Sequence, residues 1–276
     1  MNISLNKIAI LGAGWLGWPL AKKLVEKDFI VNASTTSSNK LDALAGDGIN
    51  PFLITLLTSG PEGKNLESFL NVDLIIINIP PGRRDQAVET NFPKKIKTLI
   101  SVALKAGVTR CIFVSSTSVF SDVQGRVDEE TTPIPVTNSG KALLSVEKYL
   151  QSLSQLKTTI LRPGGLVGGD RLAGRFLAGK KDIPNGNAPV NMIHQTDLVN
   201  IILKIIDQNI LGHTFNCVAD QSPTRRDFYT HQASKHGFEI PAFLPNGGVG
   251  PFKLIQNDFV KKMLDYQFVY GNPMEF

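Results

Sequence analysis

Between a short apolar run and an amphipathic stretch near the amino terminus, the chain reads Gly12-Ala13-Gly14-Trp15-Leu16-Gly17. Glycines at this spacing serve a tight turn, a close approach of main chain to a diphosphate, and the packing of a helix on a strand. Free N–H groups where the helix begins then attract the phosphates. The stretch therefore reads as a cradle for a dinucleotide. Pro19 falls in or just past the first helical turn, where a missing N–H costs least. The end of the next apolar run selects the dinucleotide, because an acidic residue there would accept hydrogen bonds from the adenosine ribose 2′-hydroxyl. The residues present are Asn32-Ala33-Ser34-Thr35-Thr36-Ser37-Ser38-Asn39-Lys40, without a carboxylate. Hydroxyls and a lysine suit a 2′-phosphate and nothing repels it, so NADP is favoured and NAD is the other choice. The same residues also suit a plain polar loop.

The elements that must hold these residues follow a regular alternation of apolar runs and amphipathic stretches, the pattern of βαβ units and a parallel sheet. KIAILGAG is a buried strand entering a turn, and Leu16, Leu20 and Leu24 form one stripe of the helix that follows. FIVNAST returns as the second strand, LDALAGDG as a short helix ending at glycine, and PFLITLL as the third strand. VDLIIINIPPG is apolar almost throughout and stops at Pro80-Pro81, as a central strand should at its carboxyl end. A helix over about residues 86–106 leads to a fifth strand in RCIFVSSTSVF, and the stretch 139–154 leads to another in KTTILRPGG. After residue 163 glycine and proline become frequent and the rhythm loosens. The expected fold class is α/β, a Rossmann-type doubly wound parallel sheet with a smaller carboxyl-terminal substrate lobe. The expected domains are 1–162 for the dinucleotide and 163–276 for the substrate lobe, partly interleaved with the first.

A chain of 276 residues can bury a large core, and 42% apolar with 19% charged residues is ordinary for a globular protein. No apolar run approaches the roughly 20 residues needed to cross a bilayer. MNISLNKIAILGAGWLG has too short an apolar core for a signal peptide, so a cytoplasmic protein with no membrane partner is expected. The net charge of +5 comes from scattered basic pairs without aromatic interleaving, which reads as a solvated surface and not as a nucleic-acid site. Cys111 and Cys217 lie in apolar segments and read as buried reduced thiols. Four histidines and two cysteines show no metal-ligand spacing.

Taken in order, GAGWLG, FVSSTSVFSD, VDEETTPIP, SGKALLSVE, ILRPGGLVGGDR and NMIHQTDLVNIIL resemble the NAD(P)-dependent epimerase/dehydratase group, the extended short-chain dehydrogenases/reductases. The resemblance runs from about residue 6 to about residue 270. It implies a dinucleotide held by a Rossmann-type domain and a small lobe closing over a substrate, often a nucleotide sugar. It also implies that a serine or threonine at the end of the fifth strand orients the substrate. Ser116 matches that position, with Thr117 and Ser118 beside it. A hydroxyl there can donate to a developing alkoxide, or it can simply close the strand end.

The group's acid/base tyrosine and its lysine are spaced YxxxK on the next helix, since residues four apart share a face. Alignment of SGKALLSVE through its glycine and glutamate puts Ser139 in the tyrosine's place and Leu143 in the lysine's. Serine is a far weaker acid than a phenol, and leucine neither shifts a neighbour's pKa nor hydrogen-bonds a ribose. Lys141 points to the opposite side of such a helix, and Tyr149 lies about 15 Å further along it. The usual proton relay is therefore absent, and the candidate catalytic residues are Ser116, Thr117 and Ser139.

Gly12, Gly14, Trp15, Leu16, Gly17, Thr35, Thr36, Ser37, Pro80 and Pro81 are the candidate coenzyme residues. Ser118, Arg162, Arg171 and Arg175 are the candidate substrate residues. The arginines flank the glycine-rich run 164–169, where guanidinium groups can hold a phosphate or carboxylate bidentately. His194 precedes Thr196 and Asp197, good helix N-caps, and is read as structural. Thr224 is expected to cap a helix with Asp227 three residues on. The last segment resembles the group's terminal helix and short strand. The leading function is an atypical NAD(P)-dependent oxidoreductase or epimerase on a small, polar, anionic or nucleotide-sugar-like molecule, as a monomer or homodimer. The alternative is a non-catalytic dinucleotide sensor that acts through a protein partner.

Overall fold

The computed structural model describes residues 5–82, 85–245 and 250–276. In chain order the elements are β1 (Lys7–Leu11), α1 (Gly17–Val25), β2 (Ile30–Thr35), α2 (Leu41–Gly46), β3 (Asn50–Leu56), β4 (Pro61–Gly63), α3 (Leu66–Leu70), β5 (Leu74–Ile77), α4 (Val88–Lys105) and β6 (Arg110–Val114). They continue with β7 (Gly125–Val127), α5 (Asn138–Gln151), β8 (Lys157–Pro163), β9 (Gly165–Val167), β10 (Met192–His194), α6 (Gln195–Asp207), β11 (Thr214–Cys217), α7 (Arg225–Lys235), β12 (Lys253–Ile255) and α8 (Asp258–Leu264).

The main sheet has eight strands in the order β11-β8-β6-β5-β1-β2-β3-β4. From β3 to β8 the pairings are parallel, and their order is that of a doubly wound Rossmann sheet. β5 shows why these runs become central strands: Leu74, Ile75, Ile76 and Ile77 are all fully buried, as a strand covered on both faces requires. The expected stripe of α1 is buried too, with Leu16, Leu20 and Leu24 at 4%, 0% and 0% exposure. One edge differs from the sequence expectation. β4 pairs antiparallel with β3, so the strand ending at Val114 is the sixth in the chain and not the fifth. Three residues, Pro-Glu-Gly, carry no strand signal of their own; they pair only because β3 offers an edge.

The chain divides into two compact units. The first comprises residues up to Ser116, Pro135–Leu161 and Ile205–Thr214. The second comprises Thr117–Ile134, Arg162–Lys204 and Phe215–Phe276. The chain thus passes from one to the other after Ser116, after Ile134, and inside β8, α6 and β11.

The second unit has its own core of Val167, Val190, Met192 and Phe228, and two short parallel pairs, β9 with β10 and β7 with β12. Thr224 caps α7 as expected, its hydroxyl accepting from the Asp227 N–H at 3.1 Å. Two other expectations fail. Thr196 and Asp197 lie inside the first turn of α6, and the His194 ring supplies the cap, Nδ1 accepting from the Thr196 N–H at 3.2 Å. Asp197 is fully buried and instead accepts from the Tyr266 hydroxyl (2.7 Å) and the N–H groups of Val269 (2.8 Å) and Tyr270 (3.0 Å). Those bonds satisfy the backbone after α8, which forms no strand; the segment ends in a 3₁₀ turn at Pro273–Glu275.

Candidate coenzyme site and hydroxyl cluster

β1 ends at Leu11, and the turn into α1 is built around Gly12, whose φ of 105° only glycine adopts without strain. A Cβ at Gly12 would stand 2.8 Å from the Asn78 carbonyl oxygen, and one at Gly17 would stand 2.1 Å from the Gly12 carbonyl oxygen. These two glycines are therefore demanded by the chain itself. Gly14 is different. It is exposed, its φ is not left-handed, and a Cβ there would meet no atom within 4 Å. The packing of the chain does not require glycine at this position.

The turn's N–H groups are sorted. Gly12 N–H donates to the Ser34 hydroxyl at 3.0 Å and Ala13 N–H to the Ser34 carbonyl at 2.7 Å. Among the described residues, the N–H groups of Gly14, Leu16 and Gly17 donate to nothing. Asn78, just past β5, donates its Nδ2 to the Gly12 carbonyl at 3.3 Å. Trp15 is half-buried, whereas the Leu16 side chain is in the core, so its contribution to the cradle is main chain only.

At the end of β2, Thr35 is buried and its hydroxyl accepts from the Ser37 N–H at 3.1 Å. This local turn leaves Thr36 and Ser37 exposed, with Lys40 half-buried at the end of a 3₁₀ turn, Ser38–Lys40. Pro80 is exposed and Pro81 half-buried beyond β5. β1 and β5 are neighbours with β2 on the far side of β1, so the strand order reverses here, where doubly wound sheets take ligands.

Beyond β6, Ser115 is buried and donates its hydroxyl to Glu147 Oε1 at 2.5 Å, while Ser116 is half-buried. In α5, Thr137 is the N-cap, accepting from the Gly140 N–H at 3.0 Å. Ser139 is half-buried in the first turn, Leu143 is 4% exposed and Glu147 is 1% exposed, so all three share the helix's inward face. Lys141 is on the other side, 3.7 Å from Glu89. The Tyr149 ring lies under Lys97, 5.3 Å from Nζ to the ring centre.

In the second unit, Thr117 is buried and Ser118 half-buried within a 3₁₀ turn, Thr117–Val119. Arg162 is 5% exposed and its guanidinium lies 5.1 Å from the Phe120 ring centre. Glu129 accepts from the Asn216 N–H at 2.7 Å. Burial pushes its carboxyl above the usual range, with Arg162 pulling the other way. Arg171 is half-buried beside Phe176 and Arg175 is exposed beside Phe238, at 5.8 and 5.5 Å. Cys111 and Cys217 are fully buried free thiols, pushed up by that burial.

A model of the family described as NAD(P)H-binding matches residues 12–209, more than half of the chain. The chain belongs to this NAD(P)H-binding family. Over 274 residues it is 34% identical to the protein YeeZ of Escherichia coli strain K12, with 98% of each chain covered. Two solved structures share its fold. One is a short-chain dehydrogenase/reductase superfamily protein from Agrobacterium tumefaciens with bound NAD (TM-score 0.77, 18% identity, 98% of this chain and 95% of that one). The other is UDP-glucuronic acid 4-epimerase from Bacillus cereus in complex with UDP-glucuronic acid and NAD (TM-score 0.76, 18% identity, 98% and 96% covered).

In this member of the NAD(P)H-binding family, Gly14 leaves open space beside the main chain of the turn. Ser34 and Asn78 are the residues of this turn that motif reading missed. Ser34 stood in plain view in a run of hydroxyls, but its bond to Gly12 depends on the register Leu11↔Ser34 between β1 and β2, which no local spacing reveals.

Proposed function

We propose that the protein is an atypical NAD(P)-dependent enzyme, an oxidoreductase or epimerase-like catalyst acting on a small anionic or nucleotide-sugar-like substrate, with NADP as the favoured coenzyme. The reading rests most on Gly14, an exposed glycine in the strand-to-helix turn of an NAD(P)H-binding family member, where a Cβ would meet no atom of the chain and the main chain is open to a ligand. Gly12 makes the turn, and the main chain of Gly14, Trp15, Leu16 and Gly17 holds the diphosphate, with Pro80 and Pro81 bounding the other side of the strand-order reversal. Thr35 shapes the β2 end, and Thr36, Ser37 and Lys40 present donors to a 2′-phosphate. When bound, the nicotinamide gives or takes a hydride.

In the first unit, Ser116 donates a hydrogen bond to the oxygen at which charge develops, and Ser139 contributes a further hydroxyl where a stronger acid ordinarily stands. In the second unit, Thr117 and Ser118 offer hydroxyls and Arg171 and Arg175 guanidinium groups suited to an anionic group, and Arg162 adds a buried fixed charge. A non-catalytic dinucleotide sensor is the second reading. Leu143 favours it, because an apolar residue packed at 4% exposure replaces the lysine of the proton relay.

Reduced-nicotinamide absorbance under a panel of carbonyl compounds and nucleotide sugars separates the two. Turnover that is lost in Ser116→Ala supports the enzyme; turnover indifferent to that change removes Ser116 from its role. Coenzyme binding without any turnover across the panel supports the sensor.

A further inference from the structure

The Gly12 peptide is gripped from both neighbouring strands. From β2, Ser34, 3% exposed, takes the Gly12 N–H on its hydroxyl and the Ala13 N–H on its carbonyl. From the end of β5, Asn78 takes the Gly12 carbonyl on its Nδ2, while its own N–H donates to the Leu11 carbonyl at 3.0 Å. Neither residue offers a group to a coenzyme directly in this arrangement. Between them they fix the two peptide planes that meet at the Gly12 Cα: Leu11–Gly12, through the Gly12 N–H on the Ser34 hydroxyl and the Asn78 N–H on the Leu11 carbonyl, and Gly12–Ala13, through the Ala13 N–H on the Ser34 carbonyl and the Asn78 amide on the Gly12 carbonyl.

That orientation matters electrostatically. A diphosphate is attracted by N–H groups and repelled by carbonyl oxygens, and the carbonyl that could oppose it is that of Gly12. It lies against the first turn of α1, so close that a Cβ on Gly17 would stand 2.1 Å from its oxygen. Gly12 is freer in φ and ψ than any other residue type, so the turn does not hold the two flanking planes by its own stiffness. The Asn78 amide bonds the carbonyl from the β5 side and offsets its partial negative charge. Ser34 holds the two N–H groups on the β2 side. The N–H groups of Gly14, Leu16 and Gly17 are thereby the ones left to face an anion.

We infer that Ser34 and Asn78 are positioning residues of the coenzyme site, which act through the two peptides flanking the Gly12 Cα to set the diphosphate cradle. This rests on the assignment of the Gly12–Gly17 turn to the coenzyme's diphosphate. The strand register that creates the pair is Leu11↔Ser34 on one side of β1 and Leu11↔Ile77, immediately before Asn78, on the other.

The test is fluorescence titration of NADPH, NADH and adenosine 2′-monophosphate into the full chain and three variants, with a thermal melt of each without ligand. Ser34→Ala raises the dissociation constants of NADPH and NADH alike by about tenfold, the loss of one well-placed hydrogen bond. Asn78→Asp, the same shape with the donor replaced by a charge, raises them by at least about thirtyfold. Ser34→Thr keeps the acceptor and stays within about threefold of the parent. Adenosine 2′-monophosphate, which lacks the diphosphate, binds all four proteins alike.

A Ser34→Ala protein that melts earlier but binds both coenzymes as the parent does makes the residue merely structural and overturns the inference. So does an equal loss of adenosine 2′-monophosphate affinity. If Ser34→Ala does not fold, Asn78→Asp and Ser34→Thr carry the same comparison. A parent chain that binds neither coenzyme overturns the assignment of the turn itself, which is a different failure.

Discussion

The Ser115 hydroxyl donates to Glu147 Oε1 at 2.5 Å, with Ser115 7% and Glu147 1% exposed. This bond ties the end of β6, where the hydroxyl run begins, to the inward face of α5, two turns beyond Ser139. The helix that carries Ser139 and Leu143 thus fixes the strand end beside Ser116. Glu147→Ala leaves a buried hydroxyl without this acceptor and opens a cavity, at a cost of about 2–3 kcal/mol. Thermal denaturation should show a melting temperature lower by about 5 °C or more. Glu147→Gln retains an acceptor oxygen and should lose less than half as much.

Two glycines of the turn, Gly17 and Gly14, should separate stability from binding. Gly17→Ala forces a Cβ into the Gly12 carbonyl and should destabilise the fold by about 2 kcal/mol or more. Gly14→Ala meets nothing in the protein, so its melting temperature should match the parent's to within about 0.5 kcal/mol equivalent. Its coenzyme affinity should nevertheless fall at least about tenfold, because the methyl group occupies the space of the diphosphate. Melts and titrations on the same samples check both halves.

Much of this was legible in the sequence. The apolar runs that became β1, β2, β3, β5, β6 and β8 and the stripe of α1 follow directly from periodicity, because each is buried for its whole length or on one clear face. β4 was not legible, since it is a strand only through its neighbour. Asp197 looked like a cap because short acidic residues often are. It became an interior acceptor because the chain after α8 brings a phenol and two N–H groups to it, a convergence across roughly seventy residues that local spacing cannot show. Ser34 and Asn78 escaped for the same reason.

Coenzyme choice should depend on Lys40. In the 3₁₀ turn after β2 it is the nearest cation in sequence to the exposed Thr36 and Ser37. Lys40→Ala should weaken NADPH about fivefold to tenfold at low salt and leave NADH unchanged. Raising the ionic strength should shrink the parent's preference in the same direction. An equal effect on both coenzymes would remove Lys40 from the selection.

His194 should give the protein an acid-side weakness. Burial holds its imidazole below the usual 6.5, against a smaller upward pull from the Asp197 carboxylate. On acidification the unfolded chain therefore takes up this proton before the folded one. The stability His194 permits is complete above about pH 6.5 and is lost as pH falls through the lowered folded value. His194→Asn keeps an acceptor for the Thr196 N–H and cannot titrate. Melting temperatures between pH 7.5 and 5 should fall less steeply in this variant than in the parent.

The most direct measurement is isothermal calorimetry of the purified chain with NADPH and with NADH. Saturable binding of one coenzyme per chain is expected, tighter for NADPH and diminished by Gly14→Ala without loss of folding. No heat from either coenzyme at millimolar concentration, from a protein that melts cooperatively, would contradict a diphosphate cradle at Gly12–Gly17.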